Sequence, residues 1–284
     1  MKLVRYGAAG REKPGILDSQ GRIRDLSQVV PEIAAEALSP KSFAKIRKKP
    51  IDSLPLVRGK PRLGPCVGKV GNLIAIGLNF ADHAAEAGMP LPKEPVIFSK
   101  ATTCICGPND DTMQPKESTK LDYEVELAVV IGSRAHYLAR DKAMDAVAGY
   151  CIGNDVSERS FQIERSGGQW YKGKSCQTFG PLGPWLVTKD EIKDPQNLDM
   201  WLTVNGETRQ KGSTKTMIFG VAHLVWYCSQ FIVMEPGDVI ITGTPPGVAM
   251  GMKPTPKFLK PGDVVRLGID GLGEQQQTVV KFKP

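Results

Sequence analysis

No apolar run in this 284-residue chain is longer than a strand; the longest lies around Leu127–Ile131. From residue 70 onward, short apolar segments are cut by glycine and proline, of which the chain has 30 and 22. Segments of that length cannot build a long helical bundle, and none approaches the roughly 18 apolar residues of a membrane-spanning helix. They predict strands at 73–77, 96–99, 124–131, 149–154, 202–204, 239–242, 264–269 and 277–282, with Asn205-Gly206 as a two-residue hairpin turn. Pro236-Gly237-Asp238-Val239 recurs as Pro261-Gly262-Asp263-Val264, in each case a turn feeding a strand. Helices are few: one after Asn79, one at 142–147 and one at 219–230. The pattern predicts a β-rich α+β protein, a sandwich, roll or barrel with helices at its edges. No G-x-G-x-x-G follows a strand, which excludes a dinucleotide-binding fold.

The first sixty or so residues read as a unit of their own. Lys2-Leu3-Val4-Arg5-Tyr6 alternates as a strand, 15–18 and 22–26 flank a Ser-Gln-Gly turn, and a helix is expected at 31–37. The turn-rich stretch 58–65 marks a crossover, giving a small N-terminal α/β domain at 1–64 and a main domain at 65–284. The net charge of +7 is confined to the smaller part. Residues 1–62 carry 14 basic and 6 acidic side chains; residues 63–284 carry 23 and 24. A short basic run of this kind is ordinarily a solvated face. No zinc-finger spacing, RNP-like aromatic motif or heptad supports nucleic-acid binding. The six cysteines form no C-x-x-C pair and, with three histidines, no zinc-ligand spacing. Cys151 and Cys228 sit among apolar residues and suit a reducing compartment. With no signal-like stretch at Met1-Lys2-Leu3-Val4-Arg5, a cytoplasmic location is expected.

Asp122-Tyr123-Glu124-Val125-Glu126-Leu127 is the most informative segment. In a strand Glu124 and Glu126 share one face while Val125 and Leu127 share the other. Two carboxylates on one face beside an apolar run repel each other and are poorly solvated, so either that face is solvent or a positive group lies between them. A hard divalent cation, Mg²⁺, Mn²⁺ or Ca²⁺, takes such oxygen ligands. Asp155, at the end of the apolar strand 149–154, is placed to complete a trio. His83 and Glu86 are i, i+3 neighbours at a helix start after a strand, a pairing that suits either water activation or an ordinary surface contact. Lys174 stands in a Gly-rich stretch. Ile240-Ile241-Thr242-Gly243-Thr244-Pro245-Pro246-Gly247 runs from a strand into a rigid loop, which can offer N–H groups and the Thr244 hydroxyl to a carboxylate or be simply a tight turn.

These segments together resemble the fumarylacetoacetate hydrolase family, from about Asn72 to Val279. The resemblance rests on G-L-N-F-A-D-H-A-A-E, P-V-I-F-S-K, D-Y-E-V-E-L-A-V-V-I-G, G-Y-C-I-G-N-D-V-S-E-R-S-F-Q, K-G-K-S and I-I-T-G-T-P-P-G-V, in that order. It implies a mixed β-sandwich roll with an appended N-terminal domain, usually as a homodimer. It implies a divalent metal, Mg²⁺ or Mn²⁺, on Glu124, Glu126 and Asp155, a His83–Glu86 water-activating dyad, and Lys174 at the reacting carbonyl. Lys100, Arg159, Gln162 and Thr244 match positions lining the family's substrate site. The implied reaction is cleavage of a C–C bond in an acylpyruvate-type 2,4-diketo acid, giving pyruvate and a second acid. The segment 159–171 is similar to that of bacterial members acting on 2,4-diketo-3-deoxy sugar acids such as the L-rhamnonate derivative. Relatives described as ureidoglycolate lyases, fumarylpyruvate hydrolases or oxaloacetate decarboxylases share the metal-enolate step. A non-catalytic metal- or ligand-binding protein on the same scaffold is the reading from another class. The expected partner is a small anionic 2-oxo acid, with neither nucleic acid nor membrane.

Overall fold

The computed structural model describes residues 1–86, 88 and 90–283, apart from the side chain of His83. Its backbone is a mixed, sheet-rich α+β fold. A ten-stranded sheet runs in the order Ile23–Asp25, Lys13–Leu17, Lys2–Tyr6, Gly180–Thr188, Val147–Asn154, Val125–Ile131, Val239–Ile241, Leu73–Gly77 and Val96–Lys100. The short strand Ile105–Cys106 adds beside Gly180–Thr188. Neighbours are antiparallel, except that Val239–Ile241 runs parallel to Leu73–Gly77 and Ile105–Cys106 parallel to Gly180–Thr188. A second sheet of five strands takes the order Glu207–Ser213, Asp199–Val204, Val264–Ile269, Gly273–Lys281 and Thr112–Gln114.

The strand Val125–Ile131 is buried at every position. It therefore has no solvated face, and the carboxylates beside it need a partner from inside the protein. The two sheets are tied together by amides as well as by apolar packing. Gln210 of the second sheet accepts the Val125 N–H at 3.0 Å and donates to Thr244 Oγ1 at 2.8 Å. Asn154 donates to Gln277 Oε1 at 3.0 Å while its own Oδ1 accepts the Glu124 N–H at 3.1 Å. Each buried amide thus satisfies a backbone group that would otherwise be orphaned.

The hairpin at Asn205-Gly206 forms as expected, both residues having positive φ (51° and 81°), between Asp199–Val204 and Glu207–Ser213. The helix expected at 219–230 is Val221–Ser229, and the one after Asn79 is Ala81–Glu86. The segment expected as a helix at 142–147 is a run of 3₁₀ turns, Arg140–Ala146. The helix expected at 31–37 is displaced: that stretch ends in a 3₁₀ turn, Ala35–Leu38, and the α-helix is Pro40–Arg47. Ser39 caps it, accepting the Ser42 N–H at 3.3 Å, with Pro40 in the first turn, where a missing N–H costs nothing. Residues 1–64 share the large sheet with the rest of the chain: Leu3 pairs with Leu186, and Leu3, Ile16 and Leu26 belong to the same apolar core as Leu127 and Val129. Among the described residues no helix is long and apolar enough to cross a membrane.

Candidate active site

Three elements bring the acidic groups together. Asp122 ends the two-residue strand Leu121–Asp122, and Glu124 and Glu126 follow it with a period of two at the start of the central strand Val125–Ile131. Asp155 leaves the neighbouring strand Val147–Asn154, and its N–H donates to the Glu124 carbonyl at 2.9 Å. Glu124, Glu126 and Asp155 offer oxygen atoms that all lie within 4.8 Å of one another. They are 6%, 2% and 1% exposed, which excludes the solvated-face alternative.

Three cations enter the same space. Lys174 Nζ donates to Glu124 Oε2 and Asp155 Oδ2, at 2.7 Å each. Lys100 pairs with Asp155 Oδ1 and donates to the Val156 carbonyl at 3.3 Å. Arg159 donates through Nη2 to Glu124 Oε1 at 2.6 Å, through Nε to Asp122 at 2.8 Å and through Nη1 to Gln162 Oε1 at 2.9 Å. Asp122, Glu124, Glu126 and Asp155 thus face Lys100, Arg159 and Lys174, four negative charges against three positive.

The imbalance falls on Glu126. Burial pushes its carboxyl well above the usual carboxylate range, and the charges of Asp155 and Glu124 push it further, against a single Gly243 N–H at 2.7 Å. Burial also acts on Glu124, but Lys174 and Arg159 outweigh it and bring the group down to about 2. Lys174, although burial opposes its charge, is held above its ordinary value by Asp155 and Glu124. A buried network with one carboxylate short of a cation is what hard divalent metals bind. The donor set fits: three carboxylates, all oxygen, with the unmatched charge on one of them.

A cavity of ≈ 360 Å³ opens beside this network. Glu124, Arg159, Gln162 and Lys174 line it on the buried side; Glu86, Leu78, Ile163, Trp170, Val248, Met250, Gly251 and Lys253 complete it. Glu86 accepts the Gly247 N–H at 3.1 Å and 3.2 Å. The side chain of His83 lies outside the described residues; its helix, Ala81–Glu86, carries Glu86 to the cavity. Two expected residues stand back from it. Lys100 is wholly committed to Asp155 and Val156. Thr244 donates its hydroxyl to the Val125 carbonyl at 2.9 Å and accepts from Gln210.

Asp122 is the residue that sequence reasoning passed over. Fully buried, it holds Arg159 and also accepts the Ala249 and Met250 N–H groups at 2.8 Å and 3.1 Å, fixing the cavity wall to the ion network. Its signal was present: it precedes Glu124 by the same two-residue step that separates Glu124 from Glu126. Gln210 had no such signal, since its strand, Glu207–Ser213, is polar throughout.

The C-terminal region of fumarylacetoacetate (FAA) hydrolase matches residues 72–280 of this chain. The chain belongs to the fumarylacetoacetate hydrolase family, a family of enzymes. Curated relatives from Burkholderia ambifaria and Burkholderia cenocepacia, each provisionally named a hydrolase, are 62% identical over 278 residues, 98% of either chain. Among solved structures, fumarylacetoacetate hydrolase from the psychrophile Exiguobacterium antarcticum superposes with a TM-score of 0.87 at 36% identity, covering 99% of this chain and 100% of that one. Maleylpyruvate hydrolase from Sphingobium sp. SYK-6, solved with manganese(II) and pyruvate, gives 0.82 at 25%, covering both chains fully (100%). The 2-hydroxyhepta-2,4-diene-1,7-dioate isomerase from Mycobacterium marinum gives 0.75 at 30%, again over 100% of each.

Proposed function

We propose that this protein is a metal-dependent hydrolase that cleaves the C–C bond of an acylpyruvate-type 2,4-diketo acid, releasing pyruvate and a second carboxylic acid. The observation that carries the reading is the buried trio Glu124, Glu126 and Asp155, with one negative charge unmatched, whose Glu124 lines a cavity together with Lys174, Arg159 and Glu86. The solved maleylpyruvate hydrolase, with its manganese and pyruvate, supports it.

The trio would hold a divalent cation, Mg²⁺ or Mn²⁺. When bound, that ion supplies Lewis-acid stabilisation of the enolate that leaves. The other roles belong to side chains. Lys174 donates to the oxyanion that forms when water adds to the distal carbonyl carbon, and the charges of Asp155 and Glu124, which outweigh its burial, keep it protonated for that task. Glu86, steadied by the Gly247 N–H, orients His83, which takes the proton from the attacking water. The C–C bond then breaks with its electron pair moving to the pyruvate fragment, which is protonated at carbon. Water and diketo acid are consumed, and pyruvate and carboxylic acid are formed, without an oxidant or reductant.

The same scaffold serves an isomerase in Mycobacterium marinum, so the readout must be bond cleavage. Pyruvate release over a panel of acylpyruvates and 2,4-diketo-3-deoxy sugar acids, with and without Mn²⁺, is expected to be positive and metal-dependent. His83→Ala and Glu124→Ala should each lose about 10²–10⁴-fold in kcat. Near-normal turnover by both variants sinks the assignment. Ureidoglycolate and oxaloacetate in the panel test the lyase and decarboxylase readings. Metal binding without turnover of any of these compounds would point to a binding protein.

A further inference from the structure

The basic run at 41–49 is ordinarily a solvated face, but the fold sorts its cations into two sets. Arg47 turns to Asp190, donating at 2.7 Å. Lys41, Lys45 and Lys48 stand at i, i+4 and i+7 along Pro40–Arg47 and its C-cap, a single stripe about 10 Å long. That stripe lines one side of a groove of ≈ 850 Å³, more than twice the volume of the active-site cavity (≈ 360 Å³). Arg134 and Pro236 line the other side, where the central strand Val125–Ile131 has ended and the turn into Val239–Ile241 begins. The walls meet closely at Gly132, where a Cβ would lie 2.8 Å from the Leu38 carbonyl oxygen. Glu36 is the carboxylate among the described lining residues, and Glu235, just outside, holds Arg134 at 2.6 Å. Four positive charges thus face two negative ones. Among the described residues Lys41, Lys45 and Lys48 make no ion pair; Lys45 donates to the Val29 carbonyl at 2.9 Å. Like charges one turn apart repel, so the stripe destabilises its own helix unless an anion lies over it.

We propose that this groove is a binding site for a small polyanion carrying a chain of phosphate groups, gripped along its length by Lys41, Lys45 and Lys48. Lysine ammoniums are mobile point charges that suit phosphate oxygens. The fixed fork that a lone carboxylate would favour is not on offer, because Arg134 is engaged with Glu235. Three ammoniums spread over about 10 Å match successive phosphates better than one compact anion. Among the described residues the lining holds no aromatic side chain, so it gives a nucleobase nothing to stack on. Recognition therefore falls on the phosphates, whether inorganic or attached to a nucleoside. The groove lies at the far end of Val125–Ile131 from Glu126, and binding there is independent of the reaction assigned above.

Calorimetric titration of the full-length protein at low salt with tripolyphosphate, ATP and AMP tests the site. Tripolyphosphate and ATP should both bind, the tighter of the two naming the source, and AMP should bind about tenfold more weakly for want of the phosphate chain. Lys41→Gln/Lys48→Gln should weaken tripolyphosphate about five- to twentyfold, since two exposed charge contacts are removed. Lys211→Gln/Lys215→Gln, an equal loss of exposed charge elsewhere, should leave it unchanged. Added salt should weaken binding to the wild type. Phosphate that merely stripped a metal from the acidic trio would give the same heat in wild type and Lys41→Gln/Lys48→Gln. Without ligand that double variant should melt no lower than the wild type, because like charges have been taken off one helix face. Absence of binding, equal tripolyphosphate affinity in the wild type and Lys41→Gln/Lys48→Gln, AMP binding as well as ATP, or a double variant that melts well below the wild type each overturns the site.

Discussion

Glu126 carries the charge that the site cannot balance by itself. Its neighbours Glu124 and Asp155 are matched by Lys174, Arg159 and Lys100, while Glu126 has the Gly243 N–H. Burying a carboxylate among carboxylates is costly, and removing that charge should relieve the cost without emptying the space. Glu126→Gln keeps the volume and an oxygen for the Gly243 N–H, and it leaves three negative groups against three positive. The metal-free variant is therefore expected to be more stable than the wild type, by on the order of 1 kcal/mol. It should also lose the metal response. Manganese at about a hundred times its Kd should stabilise the wild type by about 2.7 kcal/mol, and a chain of this size gains about 2–4 °C per kcal/mol. Thermal unfolding of both proteins with Mn²⁺ and with chelator reads both effects. An equal Mn²⁺-induced rise in wild type and variant would show that Glu126 is not a ligand.

At the scale of elements, the loop after Val239–Ile241 is the part on which the site most depends. Three acids hold it through its backbone: Glu126 at Gly243, Glu86 at Gly247, and Asp122 at Ala249 and Met250. The wall that carries Val248 and Met250 is thus registered against the ion network rather than free to drift. Gly247 makes the close approach possible. Its φ is +104°, and a Cβ would lie 1.9 Å from the Arg209 carbonyl oxygen. Gly247→Ala should cost about 2–4 kcal/mol from strain and displacement together. It should also raise KM, because the Glu86 anchor moves with it. A urea midpoint and a Michaelis curve close to wild type would refute the clamp. This loop was legible as strand, glycine and proline, since rigid turn residues announce themselves locally. The acidic trio was legible because a period of two is a local signal. The strand Gly180–Thr188 was missed although it lies between Lys2–Tyr6 and Val147–Asn154, for Gly180, Pro181, Gly183 and Pro184 carry turn chemistry and only tertiary pairing overrides it. Glu207–Ser213 was missed for the complementary reason. It is a polar strand whose one fully buried residue, Gln210, acts as a connector between sheets, and nothing in a single sequence marks an amide for that purpose.

For the whole molecule, the uneven charge and the continuous sheet point in different directions. The surplus of basic groups divides the chain near residue 62, yet the backbone does not divide there. Lys2–Tyr6 lies on Gly180–Thr188, which in turn pairs with Val147–Asn154, the strand that delivers Asp155. Arg5 donates to Glu32 at 2.8 Å and to the Pro65 carbonyl at 3.1 Å, so the crossover itself is pinned to the first strand. Removing residues 1–64 would leave the Leu186–Val187 end of Gly180–Thr188 without its partner strand, with Ile105–Cys106 still beside Gly180 and Pro181, and would uncover apolar side chains that share a core with Leu3 and Ile16, a recipe for edge-to-edge association. The truncated chain is expected to be aggregation-prone and to lack a cooperative thermal transition, even though residues 65–284 hold every candidate catalytic group. Size-exclusion chromatography and calorimetry on the truncated protein decide the matter. A monodisperse product that melts cooperatively and gains stability from Mn²⁺ would show that the N-terminal residues are an appendage. An aggregate rescued by supplying residues 1–64 as a separate chain would show that they complete the sheet on which the acidic trio is built.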